Sequence, residues 1–68
     1  MAERLLNRIK EYRSERGLTQ AELAELVGVT RKTVHTVETG LFTRSALLAI
    51  KLARALGVTV EQLFSISD

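Results

Sequence analysis

The residues best suited to chemistry lie in the segment RKTVHTVET, residues 31–39. If this segment is a helix with about 100° between residues, Val34 and Val37 lie on its inner side. The residues that fall outward are Lys32, His35, Thr36 and Thr39, with Arg31 at the edge. Arginine and lysine donate to guanine O6 and N7, and threonine offers a hydroxyl group to bases or its methyl group to thymine. The segment is therefore a candidate for contact with double-stranded DNA.

Five predicted helices must position this segment. Each of the four glycines follows an amphipathic stretch, and glycine is the usual residue just past a helix end. We expect helices over residues 3–16, 19–27, 30–39, 45–56 and 59–64, with residues 65–68 as a short tail. No alternating strand pattern is evident, so the expected fold class is all-α, with residues 1–68 forming a single domain.

The second and third predicted helices are joined by a tight turn. Thr19 is the expected N-cap of the second helix, and Glu22 three residues later completes a capping box. Gly28 ends that helix and Thr30 caps the next one. Two helices joined by a turn of three or four residues containing glycine form a helix-turn-helix.

The spacing of apolar residues predicts which helix faces are buried. The expected core residues are Leu5, Leu6, Ile9, Tyr12, Leu23, Ala24, Val27, Val29, Val34, Val37, Ala49, Ala53 and Leu56.

The stretch LTQAELAELVGVTRKTVHTVETG resembles the helix-turn-helix of the phage-repressor/Cro-type (XRE) family of DNA-binding regulators. Counted from Gln20, the family pattern has a small residue fifth, glycine ninth, and apolar residues at the fourth, eighth, tenth, fifteenth and eighteenth positions. This sequence has Ala24, Gly28, Leu23, Val27, Val29, Val34 and Val37 there. The resemblance continues through IKEYRSERGLTQ and LARALGVTVEQLF and covers nearly the whole chain. It implies a compact five-helix, lambda-repressor-like DNA-binding domain. One departure is TRS, residues 43–45, where the family often has an Asn-Pro-Ser type sequence.

In a helix-turn-helix the second helix enters the major groove of DNA. We therefore expect Arg31, Lys32 and Thr36 to contact bases, as the resemblance also implies. His35 lies on the same face, where it either contacts DNA or is simply exposed. The family uses glutamine at the position of Gln20 for a phosphate contact. Secondary candidates are Thr19, Thr33, Thr39 and Arg44, for which a capping or solvated role is the alternative.

Arg13 falls inside the apolar arc of the first predicted helix. A charge that faces a core is costly unless it is paired. Glu38, at the end of the third helix, is the expected partner, and the resemblance implies an Arg–Glu pair at these two positions. We predict a structural ion pair that fixes the third helix against the first.

The fourth predicted helix, SALLAIKLARAL, is apolar at nine of twelve positions, more than one core face requires. The apolar residues expected at a homodimer interface are Leu41, Phe42, Leu47, Leu48, Phe64 and Ile66. The alternatives are that these residues close the small core, or that Phe42 contacts DNA.

Composition excludes several functions. The chain has 68 residues, no cysteine and one histidine, so disulfides and cysteine or histidine metal sites are not expected. No catalytic cluster, cofactor motif, signal peptide or membrane span is apparent. The net charge is +2, and residues 31–54 hold five basic residues against one acidic residue. We expect no enzyme activity, no cofactor and a cytoplasmic location, on the nucleoid when bound to DNA.

The sequence thus favours a sequence-specific transcriptional regulator, a homodimeric repressor that binds a palindromic operator. One alternative is the DNA-binding antitoxin or partner subunit of a two-protein module, in which the apolar surface binds another small protein. Another is a protein-interaction module that has lost DNA binding, against which the basic residues Arg31 and Lys32 argue.

Overall fold

Five helices and two short strands occupy residues 4–40 and 45–67, the part of the chain that the computed structural model describes. In chain order they are β1 (Arg4–Asn7), α1 (Ile9–Glu15), α2 (Gln20–Val27), α3 (Arg31–Glu38), α4 (Ala46–Leu56), α5 (Val60–Leu63) and β2 (Phe64–Ser67). The five predicted helices are therefore confirmed, and the strands add a small sheet to a mostly helical fold. None of the helices in these ranges has the length and hydrophobicity needed to cross a lipid bilayer.

Hydroxyl side chains start four of the helices, as predicted. At α2, Thr19 Oγ1 accepts from the Glu22 backbone N–H at 3.0 Å, and Glu22 Oε1 accepts from the Thr19 N–H at 2.9 Å. This capping box satisfies two donors that would otherwise lack partners. The hydroxyl groups that cap α3, α4 and α5 in the same way belong to Thr30, Ser45 and Thr59.

Gly28 makes the turn between α2 and α3 possible. Its φ of 74° and ψ of 33° place it in the left-handed region, which glycine adopts at little cost. The chain then folds back: Gly28 N–H donates to Glu25 O at 3.3 Å and Val29 N–H donates to Ala24 O at 3.0 Å. This pair of bonds is a Schellman motif, which ends α2 and sends the chain directly into α3.

The core lies between the helices and is built from ten buried side chains: Ile9, Leu23, Ala24, Val27, Val34, Val37, Leu52, Ala53, Leu56 and Leu63. The inner faces predicted for α2 and α3 are confirmed. The prediction for Ala49 is wrong, because the inner face of α4 centres on Leu52 and Leu56 and leaves Ala49 half-buried. Tyr12 and Val29 are half-buried against the core.

The predicted start of the first helix is wrong. Residues 4–7 form β1, which pairs antiparallel with β2 in a register that places Leu5 opposite Ile66 and Asn7 opposite Phe64. The helix begins only at Ile9, whose N–H donates to Asn7 Oδ1 at 3.2 Å, while Arg8 N–H donates to Leu63 O at 2.9 Å. Since these bonds draw the backbone into the sheet, Leu5 and Leu6 remain 36% and 46% exposed rather than buried.

The predicted tail is also wrong. Residues 64–67 are the strand β2, held by its pairing with β1, and residue 68 lies outside the described part of the chain. The fifth helix is correspondingly shorter than predicted, because Phe64 is already extended, with φ −123° and ψ 143°.

Candidate nucleic-acid interface

The outward side of α3 is the candidate interface. Burial of Val34 and Val37 turns the opposite side of the helix to solvent. Four of the predicted contact residues are exposed there, namely Arg31, Lys32, His35 and Thr39, and Thr33 and Thr36 are half-buried. The structure thus brings the residues predicted on this helix to one accessible surface.

The N-terminal half of α3 carries exposed cations. Arg31 and Lys32 directly follow the N-cap Thr30, at the start of the helix. The cap also engages Thr33, whose backbone N–H donates to Thr30 Oγ1 at 3.2 Å and whose hydroxyl lies 3.0 Å from the same oxygen. Thr33 therefore supports the helix start, while Arg31 and Lys32 extend into solvent.

The C-terminal half of α3 is held by an ion pair. Arg13 Nε donates to Glu38 Oε2 at 2.7 Å, and Arg13 Nη2 donates to Glu38 Oε1 at 3.2 Å. The two side chains are only 12% and 4% exposed. Arg13 Nη1 also donates to Leu18 O at 2.8 Å, just before the start of α2. The predicted pair is present, and its arginine links α1, the α1–α2 connection and α3.

Gln20 is the first residue of α2, and its side chain contacts the C-terminal half of α3. Its side chain is half-buried, and its Nε2 donates to Glu38 Oε1 at 3.1 Å. The same nitrogen lies 3.4 Å from His35 Nδ1. Sequence analysis predicted a DNA-facing role for Gln20 but not these partners, since contacts between residues 15 and 18 positions apart follow only from the packing of two helices.

Asn7 is a structural residue that sequence analysis missed. Its Nδ2 donates to Val37 O at 2.9 Å, so β1 is bonded to the last turn of α3. Val37 O also accepts from the Gly40 N–H at 3.1 Å, so the Asn7 amide adds a second donor to a carbonyl group at the end of the helix. An Asn two residues before an apolar helical face was the available signal, because Asn favours helix starts.

Hydroxyl groups near the interface have internal partners. Thr39 Oγ1 donates to Thr36 O at 2.8 Å at the end of α3. Thr19 acts as the cap of α2, and its backbone N–H, with its hydroxyl group second, holds the pKa of Glu22 below its usual range. Thr19 and Thr39 therefore have evident structural roles whether or not they also meet a ligand.

Several apolar side chains on elements other than α3 are exposed. Of those predicted at a dimer interface, Leu47 and Ile66 are 64% and 67% exposed, while Leu48 and Phe64 are half-buried against the core. Sequence analysis missed Leu26 and Ile50, which are 63% and 47% exposed. Leu41, Phe42 and Arg44 lie outside the described residues.

Within the described ranges, no group of three histidine or acidic side chains is arranged to hold a metal ion. The outward side of α3 offers hydrogen-bond donors and positive charge, as a surface that contacts an anionic polymer requires.

Comparisons with known proteins agree with this geometry. The family model described as helix-turn-helix matches residues 9–63. An HTH-type transcriptional regulator from Methanothermobacter thermautotrophicus is 49% identical over 61 residues, which cover 88% of each chain.

Solved structures show the same fold. The restriction-modification controller protein C.AhdI from Aeromonas hydrophila superposes with a TM-score of 0.75 at 39% identity, over 82% of this chain and 85% of that one. The biofilm master regulator SinR in complex with DNA gives a TM-score of 0.70 at 39% identity, over 78% of this chain and 86% of that one. SinR also matches in its complex with the protein SinI, with a TM-score of 0.71 at 39% identity, over 78% of this chain and 52% of that one.

The family match spans all five helices and includes the turn at Gly28 and α3, whose outward side is described above. The chain therefore belongs to the XRE-type helix-turn-helix family of transcriptional regulators, with the DNA-binding fold of the lambda-repressor/Cro type.

Proposed function

We propose that this protein is a homodimeric repressor that binds a palindromic operator in double-stranded DNA, with α3 in the major groove. One observation carries the proposal. Arg31 and Lys32 are exposed at the N-terminal end of α3, and the C-terminal end of the same helix is held in place by a buried ion pair. Among its relatives, SinR has been crystallised with DNA and C.AhdI is a controller protein. The proposed place of action is the cytoplasm, on the nucleoid when bound.

In this proposal, side chains in the first turns of α3 contact the bases. Arg31 and Lys32 are long, exposed donors suited to guanine O6 and N7, and Thr36 presents a hydroxyl and a methyl group. The residues proposed to contact the DNA backbone around them are Thr19, Thr33, His35, Thr39 and Arg44, and Gln20 lies behind them, bonded to Glu38. Backbone contacts fix the orientation of the helix, while base contacts supply sequence preference.

The proposed dimer uses the apolar side chains left exposed by the fold. Leu47 and Ile66 are more than half exposed, and Leu48 and Phe64 are half-buried against the core. Leu41 and Phe42 are assigned to the same interface from their sequence positions. A twofold dimer presents two copies of α3 to half-sites one helical turn of DNA apart, about 34 Å.

Selection from a random duplex pool tests the proposal. We expect the purified chain to enrich an inverted repeat with half-sites about one turn apart. Arg31→Ala and Lys32→Ala should lose the base preference at one position of each half-site, whereas Lys10→Ala, an exposed cation on α1, should retain it. Enrichment of a single unrepeated site would contradict the dimer. Weak, strongly salt-dependent binding without any enriched sequence would contradict sequence-specific regulation.

A second candidate is a subunit of a two-protein module. The exposed Leu26 lies beside Lys51 and Arg54 in a shallow groove between α2 and α4. SinR provides a precedent for a relative that assembles with a second protein. A chain that is monomeric alone and binds its operator only with a co-expressed neighbouring protein would favour this candidate over the homodimer.

A further inference from the structure

Four side chains form a continuous set of contacts behind the interface, which we call the α3 relay: Arg13, Glu38, Gln20 and His35. Glu38 is paired with a guanidinium group at 2.7 Å, so it is ionised and can only accept hydrogen bonds. The Gln20 amide must therefore turn its NH₂ group, not its carbonyl oxygen, toward Glu38. The chemistry of the ion pair thus fixes the orientation of an amide on the neighbouring helix.

The orientation of Gln20 in turn selects the tautomer of His35. Gln20 Nε2, 3.4 Å from His35 Nδ1, can only donate, so Nδ1 must accept. A histidine whose Nδ1 accepts is neutral and holds its proton on Nε2. Because His35 is exposed on the outward side of α3, its Nε2–H is a donor available to a ligand there.

The relay also limits what Gln20 can do. Both hydrogens of its amide have partners inside the protein, at Glu38 and at His35. Phosphate oxygens only accept, so in this arrangement the Gln20 side chain has no hydrogen left for a phosphate. The resemblance implies that Gln20 donates to phosphate, but in this arrangement the available donor is the Nε2–H of His35.

We propose that Gln20 and Glu38 are positioning residues that hold the neutral form of His35 with its proton on Nε2, as a donor to DNA. This proposal rests on the proposed function. The ligand is a hydrogen-bond acceptor of the duplex, either a phosphate oxygen or the O6 or N7 of guanine. A neutral donor contributes orientation and hydrogen bonding, and unlike lysine it releases no counterion.

Nuclear magnetic resonance of the free protein tests the relay directly. The chain holds one histidine, so labelling with ¹⁵N-histidine in the full, untagged chain gives a single imidazole signal set. At about pH 8, where an ordinary histidine is neutral, we expect Nε2 to be protonated. The Nδ1 resonance should move upfield of its position in Gln20→Leu, because it accepts a hydrogen bond only in the unchanged chain.

The matched control is Ala21→Leu, an exposed position next to Gln20 on α2, which should leave the Nδ1 resonance unchanged. Should Gln20→Leu fold poorly, Gln20→Met provides the same loss of donors with a flexible side chain. Identical Nδ1 resonances in the unchanged chain and in the Gln20 variants, or a protonated Nδ1, would overturn the relay.

A double-mutant cycle on the selected operator tests the role in binding. His35→Ala should weaken binding in the unchanged chain, and the loss should be at least about twofold smaller when Gln20→Leu is already present, the lower limit of typical coupling between contacting residues. At pH 8, His35→Ala should not change the dependence of affinity on salt, whereas Lys32→Ala should lower that slope by about 0.9 if Lys32 neutralises one phosphate.

The outcomes separate the possibilities. A loss that is equal on all sequences identifies a phosphate, and a loss confined to one guanine identifies that base. Additive effects of the two substitutions, or a lower salt slope in His35→Ala, would overturn the neutral-donor proposal. Absence of duplex binding by the unchanged chain would overturn the proposed function and the donor role together, while the Nδ1 resonance would still decide whether the relay exists.

Discussion

The two halves of α3 differ in how their polar residues are held. In the N-terminal half, Arg31 and Lys32 are exposed and follow a helix cap and a glycine turn. In the C-terminal half, Glu38 is almost fully buried, bonded to Arg13 and Gln20, and the Val37 carbonyl accepts from Asn7. One half presents charge, and the other half ties the helix to three other elements.

This difference separates stability from recognition along a helix of eight residues. Exposed cations contribute little to folding, since solvent screens them, but they attract phosphate and reach bases. A buried, bonded carboxylate contributes little to attraction but fixes where the helix lies. Substitutions in the two halves should therefore affect different measurements. Three predictions test this, ordered from the largest expected effect, and a fourth, smaller effect concerns the capping box of α2.

Arg13→Leu should break the C-terminal half. It leaves the Glu38 carboxylate buried without its cation, and the loss of one partner of a buried pair costs about 3–5 kcal/mol of unfolding free energy. Urea unfolding followed by circular dichroism measures this. Arg13→Leu/Glu38→Leu should recover most of the loss because no unpaired charge remains, and Lys10→Leu, exposed on the same helix, should change little. A loss below about 1 kcal/mol in Arg13→Leu would contradict a structural role for the pair.

Gly28→Ala tests the turn that precedes the N-terminal half. No atom lies within 4 Å of the added methyl group, so the cost comes only from the left-handed backbone at φ +74°. We expect a loss of about 1–2 kcal/mol in thermal or urea unfolding. Glu25→Ala, exposed on α2, should stay within about 0.5 kcal/mol of the unchanged chain. An equally small effect of Gly28→Ala would mean that the turn relaxes to another conformation.

Arg31→Ala and Lys32→Ala should leave stability within about 0.5 kcal/mol, because both side chains are exposed surface groups. The same variants should weaken operator binding, which sharpens the contrast with Arg13→Leu. The check is a paired measurement of unfolding and of DNA affinity on one preparation. Unfolding free energies that fall together with affinity would show that the two halves of α3 are not separable.

Substitution of Glu22 should have the smallest effect on the free energy of unfolding, and the effect should appear only at acidic pH. Its lowered pKa means that the unfolded chain binds the proton at higher pH than the folded chain, so stability falls as pH drops through this interval. The contribution is present above the ordinary range of a glutamate, about pH 4.3, and is lost below it. In Glu22→Gln the unfolding midpoint should decline less steeply between about pH 5 and pH 3. Ala21→Gln on the same helix should keep the decline of the unchanged chain.

The sequence was most informative where structure is local. The caps Thr19, Thr30, Ser45 and Thr59 act within three residues of themselves, and Gly28 acts on the chain immediately before it. Helical spacing identified Val34 and Val37 as the inner side of α3, so its outward side followed directly. The pair of Arg13 and Glu38 could be predicted from the sequence because a charge within an apolar arc requires a partner.

Contacts between segments that are distant in the sequence could not be predicted in the same way. Leu5, Leu6 and Ile9 fit helical spacing, but residues 4–7 form a strand because their backbone groups pair with those of residues 64–67, at the other end of the chain. The bond from Asn7 to Val37 and the contact of Gln20 with His35 likewise depend on how elements pack. The helical wheel places Leu26 about 60° from the buried Leu23 and cannot show that it stays 63% exposed in the fold.

The pairing of β1 with β2 has a consequence for the order of folding. Every helix is closed by bonds between residues a few positions apart, and α2 meets α3 across a turn of three residues, so these parts can form early. The sheet instead joins residue 5 to residue 66, a closure that spans almost the entire chain and therefore carries a high entropic cost. We expect it to form after the helices have brought its strands together, so that folding runs from the helix-turn-helix outward to the sheet.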